Sequence, residues 1–270
     1  MSQPLMSQPL LKVESLSKSF GGLSVITDVS FEVPKGGRTA LIGPNGAGKT
    51  TMFNLLTGVY TPDEGSVTLD GKPIDGFPSR KRIGLGMARS FQNIRLMPHL
   101  SVVENVMLGQ QSRLTGPKGW LGPVTGFGRS KAYREAEDLL AEMGIQTRPG
   151  DVVATLPYGI RKKIEVVRAL AADPKILLLD EPAAGLNAVE TASLRDFLLQ
   201  LSARGITLLV VEHDMSLVRS LCTHAVVLNF GSKIYDGPTA TVNEDPQVLE
   251  AYLGPRHAGD APAKETDHVA

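Results

Sequence analysis

Continuous apolar runs mark the centre of the predicted fold. Lys175–Leu179 and Ile206–Val211 show no alternation of polar and apolar positions, and Thr39–Ile42 forms a third short buried run. Such runs are typical of parallel strands that are covered on both faces. Because helical patterns separate the runs, the sequence predicts an α/β fold in which crossover helices connect the strands of a parallel sheet.

The other strand patterns lie towards the two ends of the chain. Val25–Val33 shows an alternating pattern that is rich in β-branched residues, and Ser66–Leu69 precedes an Asp-Gly turn. Ala225–Asn229 and Lys233–Tyr235 flank a turn that contains a glycine. These patterns predict strands near the N-terminus and a late hairpin.

Helical patterns dominate the middle third. Ser101–Gly109 and Ser130–Met143 are predicted helices, and the second ends at Gly144. Gln111–Arg129 holds five glycines and two prolines, so no regular element is expected there. We interpret residues 93–172, approximately, as a mainly helical subdomain inserted into the α/β core.

The two ends differ from the rest of the chain. Residues 1–10 repeat the pentamer MSQPL, and residues 255–270 are rich in Ala, Pro and charged residues without an apolar period. We expect a flexible leader and a disordered tail there. A single domain is therefore predicted over residues 11–254.

Composition narrows the classes of function. The chain has 270 residues, of which 42% are hydrophobic, enough for one large α/β domain. Lys plus Arg equals Asp plus Glu at 28 each, which disfavours a protein held on nucleic acid by charge. The one cysteine, Cys222, excludes an internal disulfide and favours a reducing compartment. Without an export signal or an apolar run near the roughly 18 residues of a membrane span, a cytosolic protein is expected.

The strongest chemical signal is a glycine-rich segment between a buried strand and a predicted helix. It fits the pattern G-x-x-x-x-G-K-[ST] and consists of Gly43, Pro44, Asn45, Gly46, Ala47, Gly48, Lys49 and Thr50. Glycines let backbone N–H groups surround a polyphosphate at the start of a helix. Lys49 can reach the β- and γ-phosphates, and the Thr50 hydroxyl can bind Mg²⁺. A plain glycine turn is the alternative, which the strand–helix context disfavours.

Polar residues follow the two central strands. Asp180 and Glu181 end the first run, and His213 follows the second. On its own, an acidic pair is usually part of a solvated turn, and a lone histidine usually has a structural role. Here, however, these residues follow parallel strands, whose carboxyl ends lie at the same edge of the sheet as the phosphate loop. We therefore interpret Asp180 as a ligand of the Mg²⁺ shell and Glu181 as the base that orients water. His213 is then a donor to the γ-phosphate.

Together these segments resemble the nucleotide-binding subunit of ATP-binding cassette (ABC) transporters, from about Leu11 to Gly254. The resemblance implies a P-loop NTPase (RecA-like) core with a parallel sheet, an N-terminal antiparallel β region and an inserted α-helical subdomain. For ATP binding, the resemblance implies that Phe20 stacks on adenine and that Gly43–Thr51, which ends at Thr51, is the Walker A loop. For catalysis, it implies that Gln92 is the Q-loop glutamine, which also binds the metal, that Asp180 and Glu181 end Walker B, and that His213 is the switch histidine. For the contact with the partner ATPase, it implies a signature at Leu156–Ile160, which includes Pro157, Tyr158 and Gly159, and a D-loop at Ala184–Asn187, which ends at Asn187.

A finer resemblance concerns the transported solute. Ala88–Leu96 is similar to the Q-loop of one ATPase subunit of branched-chain amino acid importers, although urea and other amino acid importers share these features. The resemblance implies an ATPase that uses ATP and Mg²⁺ on the cytoplasmic face of the inner membrane, as a peripheral subunit. Its implied partners are a second, different ATPase subunit, two permeases and, through them, a periplasmic solute-binding protein. No nucleic-acid partner is expected.

The sequence departs from the family pattern at three positions. Pro157 replaces the usual signature serine, Ile160 replaces the usual glutamine, and Asn187 stands where many members have aspartate. We expect Pro157 to lie in the first turn of a helix and to weaken binding of the partner's nucleotide.

Two other classes remain open. One is a soluble cassette without a permease, and the other is a phosphotransferase or GTPase that shares only the loop. The sequence contains no Asn-Lys-x-Asp guanine motif, which disfavours the GTPase.

Overall fold

The computed structural model describes residues 9–90, 94–111, 113, 130–148 and 150–253. Gln92, the tail over 255–270, and nearly all of residues 111–129 lie outside these residues. The strands of the described part are β1 (Pro9–Phe20), β2 (Leu23–Pro34), β3 (Arg38–Ile42), β4 (Glu64–Leu69), β5 (Lys72–Pro73), β6 (Met87–Arg89), β7 (Ile176–Asp180), β8 (Thr207–Val211), β9 (His224–Asn229) and β10 (Ser232–Pro238). Its helices are α1 (Lys49–Leu56), α2 (Ser79–Gly84), α3 (Val102–Gln110), α4 (Lys131–Glu142), α5 (Tyr158–Leu170), α6 (Ala188–Ala203), α7 (Met215–Leu221) and α8 (Pro246–Leu253).

The larger sheet has the strand order β10-β9-β3-β8-β7-β6. Strands β6, β7, β8, β3 and β9 are parallel, and β10 pairs with β9 in the antiparallel sense. All residues of β7 and β8 are buried, as their continuous apolar runs predicted. The α/β class, the parallel sheet and the late hairpin are therefore confirmed.

The smaller sheet is antiparallel, with the order β2-β1-β4-β5. Strand β1 begins at Pro9, so Pro9 and Leu10 belong to the sheet and not to the expected leader, whose other residues lie outside the described part of the chain. Leu10 is only 2% exposed because it packs into the apolar layer under this sheet. The pattern over 9–20 did not indicate a strand, since shifts in register with β2 interrupt its alternation.

Two apolar layers enclose the larger sheet. Neighbouring residues of a strand point to opposite faces, so Leu178 joins the layer that contains α1 and the smaller sheet, while Leu179 joins the layer formed with the helices. Both faces of the central strands are thereby covered. This places the polar residues that follow them at the carboxyl edge of the sheet.

The chain between β6 and β7 forms helices α3, α4 and α5, which pack against one another, as expected for a helical insertion. The approach of α3 to α5 is close at Gly109, where a Cβ atom would lie 1.9 Å from the Arg168 carbonyl oxygen. Ser101 and Glu104 form a capping box at the start of α3, which satisfies backbone donors of the first turn. Helix α2 and strand β6 were not predicted, because both are very short. Among the described residues, the helices are all too short or too polar to span a bilayer.

Candidate active site

The phosphate loop connects β3 to α1 and is held from two sides. At Gly43 a Cβ atom would lie 2.1 Å from the carbonyl oxygen of Leu228 in β9, so only glycine fits. At Gly48, with φ of 99°, a Cβ would lie 2.7 Å from Ile26 of β2. Strands from both sheets therefore fix the shape of the loop.

The Lys49 side chain lies back along the loop. Its Nζ donates hydrogen bonds to the carbonyl oxygens of Gly43, at 2.6 Å, and Pro44, at 2.9 Å. Burial lowers the pKa of Lys49, and the charge of Glu181 acts in the opposite direction. Lys49 and Glu181 are therefore close enough for their charges to interact.

Asp180 is the last residue of β7 and is 8% exposed. One of its carboxylate oxygens lies 2.6 Å from the guanidinium of Arg89. Arg89 also donates to the Asn54 side chain of α1 at 2.8 Å. The acidic end of β7 is consequently tied to the helix that follows the phosphate loop.

Glu181 and His213 follow adjacent strands. Glu181 has a φ of 44°, and its N–H donates to the Val211 carbonyl at 2.9 Å as the chain leaves the sheet. The His213 side chain is 67% exposed. This exposure leaves the imidazole accessible to a bound phosphate.

Glu212 is a buried carboxylate that sequence reasoning did not single out. It is 1% exposed and accepts hydrogen bonds from the backbone N–H groups of Ala183, at 3.0 Å, and His213, at 3.3 Å. Burial raises the pKa of Glu212, and these two hydrogen bonds oppose the shift. Glu212 thereby joins the residues after β7 to those after β8.

The signature segment begins α5, and here one expectation is wrong. Pro157 is the N-cap residue, with φ of −53° and ψ of 148°, and the helix begins at Tyr158. Proline therefore precedes the first turn and occupies a position where Ser or Asp usually accepts a backbone hydrogen bond. No side-chain cap exists at this end of α5.

The signature and D-loop residues lie together. At Gly159 a Cβ atom would lie 2.9 Å from the Glu190 carboxylate, and at Gly185 it would lie 3.3 Å from the Tyr158 ring. Asn187 caps α6 and forms a capping box with Glu190. Asn187 therefore has a local structural role in addition to the D-loop role that the resemblance implies.

Phe20 lies at the end of β1 with an exposed ring. The ring makes an edge-to-face contact with Tyr60, at a centroid distance of 5.1 Å, and Lys18 lies 5.5 Å from its centroid. An exposed aromatic face of this kind suits a base that stacks on it.

Two side chains near the phosphate loop carry oxygen donors of the kind that Mg²⁺ binds. The hydroxyl of Thr50, which is exposed, and the carboxylate of Asp180 are hard oxygen donors, which Mg²⁺ prefers together with water and phosphate oxygens. In the described part of the chain, no group of three or more His, Cys, Asp or Glu side chains could hold a metal ion alone.

Other functional candidates escaped sequence reasoning because their partners are distant in the chain. Arg89 and Asp180 are 91 positions apart, and nothing local connects them. The sequence held only a weak sign that Lys162 and Glu165 of α5 are buried. These charged residues are three positions apart, so they share a helix face, and that face also carries buried Val166.

The comparisons with known proteins agree with this arrangement. A family model described as ABC transporter matches residues 26–184. The high-affinity branched-chain amino acid transport ATP-binding protein BraF of Pseudomonas aeruginosa is 41% identical over 253 residues, which cover 92% of this chain and 99% of the relative. The corresponding LivG protein of Escherichia coli K12 is 38% identical with the same coverage.

A solved structure agrees equally well. The crystal structure of the ADP conformation of an ATP-binding cassette of an ABC transporter superposes with a TM-score of 0.82 and 30% identity, covering 92% of this chain and 100% of that chain. The family match includes the phosphate loop and, after β7, Asp180 and Glu181. The chain therefore belongs to the ABC transporter family, as one of its ATP-binding proteins.

Proposed function

We propose that this chain is the ATP-hydrolysing subunit of an ABC importer that takes up branched-chain or related amino acids. The observation that carries the proposal is the assembly of the phosphate loop, Glu181 and His213 at one edge of the sheet. The similarity to BraF and LivG, which are named as branched-chain amino acid transport proteins, supports the class of solute.

Binding of ATP follows from the loop and α1. Backbone N–H groups of the loop and the positive end of the α1 dipole attract the phosphates. An ammonium group has three donors, and Lys49 gives two of its hydrogen bonds to loop carbonyls. The remaining donor and the charge serve the β- and γ-phosphates. Phe20 is proposed to stack on adenine.

Hydrolysis requires a water molecule placed in line with the γ-phosphate. Glu181 orients this water and accepts its proton, while His213 donates to a γ-phosphate oxygen. Thr50, Asp180 and Gln92 would hold Mg²⁺, which neutralises charge on the phosphates when bound. Arg89 keeps the Asp180 carboxylate at the end of β7.

The signature segment serves a second subunit. In this proposal Pro157, Tyr158 and Gly159 face the nucleotide that is bound by the partner ATPase, a different chain. Two permeases place the complex on the cytoplasmic face of the inner membrane, and a periplasmic protein delivers the solute. The segment that receives a permease helix is proposed to be residues 94–99, in which Met97 is 50% exposed.

Reconstitution tests the proposal. The chain is co-purified with the subunits it binds, placed in liposomes, and supplied with radiolabelled leucine or urea, with Lys49→Ala as the inactive control. ATP-dependent uptake of leucine supports the proposal, and uptake of urea alone supports the alternative importer. Failure to co-purify with any membrane subunit would support a cassette without a permease.

A further inference from the structure

Helix α5 carries a lysine in an unusual environment. Lys162 is 3% exposed, although it lies only one turn from the start of the signature helix. Lysine is rarely buried unless its charge is paired. Two buried carboxylates belong to the same region, Glu165 at 2% and Glu212 at 1% exposure.

The carboxylates that act on Lys162 come from three different elements. Burial lowers the pKa of Lys162, and the charges of Glu165, Glu212, Glu181 and Asp180 oppose the shift. Glu165 lies on α5 itself, Asp180 ends β7 and Glu181 follows it, and Glu212 follows β8. The positive charge of Lys162 is thus favoured by carboxylates of the acidic carboxyl edge as well as by Glu165 of its own helix.

The same ammonium group also meets the signature. Its Nζ lies 5.8 Å from the centroid of the Tyr158 ring, within the range of a cation–π interaction. The Tyr158 hydroxyl donates to the Ala184 carbonyl of the D-loop at 3.5 Å. The neighbouring residue Ala183 donates its N–H to Glu212. Tyr158 and Ala183 therefore connect the signature and the D-loop to buried Glu212, and Lys162 lies against the same Tyr158 ring.

We propose that Lys162 is a positioning residue that couples the signature segment to the carboxylates of the same subunit. This inference rests on the proposed function, in which Glu181 acts on this subunit's ATP while the signature acts on the partner's ATP. Because one buried charge faces both, a displacement of the acidic edge moves the signature. Lys162 thereby links the two nucleotide sites.

A charge-deletion series tests this coupling in the complex with the partner ATPase and permeases. Lys162→Met removes the charge and keeps the chain length, and Lys162→Arg keeps the charge. The control is Lys163→Met, because Lys163 is only half-buried and its Nζ donates to the exposed Ser193 hydroxyl at 2.7 Å. We expect Lys162→Met to lower kcat about tenfold with KM within about twofold, and Lys162→Arg to recover most of the loss.

A double-variant cycle separates coupling from packing. Glu212→Gln is combined with Lys162→Met, and kcat and the thermal midpoint are measured for each variant. Coupled charges predict that the double variant is less impaired than the product of the two single effects. If Lys162→Met does not fold, recovery of folded protein in the double variant supports the coupling, and continued misfolding overturns it.

The results that would overturn the role of Lys162 differ from the results that would contradict the proposed function. An active native complex in which Lys162→Met behaves like Lys163→Met, or in which the two single effects multiply, overturns the role of Lys162 alone. A native complex that does not hydrolyse ATP instead contradicts the proposed function.

Discussion

The guanidinium of Arg89 lies 2.6 Å from the carboxylate of Asp180 and joins the ends of two neighbouring strands. Both side chains are largely buried, at 14% and 11% exposure. Since Arg89 also bonds Asn54 of α1, one side chain connects the Walker B strand to the helix that begins at Lys49. Protein groups therefore hold the proposed metal ligand in place.

Removal of Arg89 is expected to destabilise the fold. Arg89→Met leaves Asp180 as a buried charge without its ion-pair partner, which costs about 3–5 kcal/mol. The matched control is Arg195→Met, whose pair with Asp196 is exposed and worth about 0–1 kcal/mol. Urea unfolding measures both free energies, and equal effects would contradict the assigned importance of the buried pair.

Cys222 is expected to react slowly in the folded chain. Burial raises the pKa of its thiol to about 12, so little thiolate exists at pH 8, and the thiolate is the reactive form. A thiol reagent at pH 8 should label the native protein far more slowly than the protein in urea. Because the folded pKa lies above the unfolded value, this group also favours unfolding as the pH rises from about 9 towards 12. Rapid labelling of the native chain would contradict this account.

The central sheet and the phosphate loop were predictable because their signals are local. The runs that became β7 and β8 are continuous, and the loop has fixed spacing between a strand and a helix. Strand β1 escaped prediction because its bulges hide the alternation, as at Ser15 with a φ of 46°. The environment of Lys162 was not predictable, because its partners come from elements that only the folded sheet brings together.

Pro157 offers a test of asymmetry between the two nucleotide sites. Pro157→Ser supplies the missing N-cap acceptor, which stabilises a helix by about 1 kcal/mol. It also supplies a hydroxyl to the partner's nucleotide, so turnover there should rise by up to about tenfold. The rise is measured in a Glu181→Gln background, so that only the partner-side site contributes. Pro157→Ala is the control, and no difference between the two variants would exclude the asymmetry.

Gly109 is expected to tolerate no side chain. Gly109→Ala would place a Cβ atom 1.9 Å from the Arg168 carbonyl oxygen and force α3 away from α5, at a cost of about 1–3 kcal/mol. Gly84→Ala at the end of α2 is the control, since a Cβ there meets nothing within 4 Å and alanine is a better helix former than glycine. Thermal unfolding should show opposite shifts, and shifts of the same sign would contradict the packing described for α3.

The most direct test of the central claim is ATP turnover by Glu181→Gln at saturating ATP, with nucleotide affinity measured on the same sample. Glu181 orients water without holding the phosphates, so we expect native-like affinity and a turnover reduced by about 10²-fold or more. Lys49→Ala, which removes a charge that faces the phosphates, should instead weaken binding itself. The account is contradicted if Glu181→Gln hydrolyses ATP at the native rate, or if both variants lose only affinity.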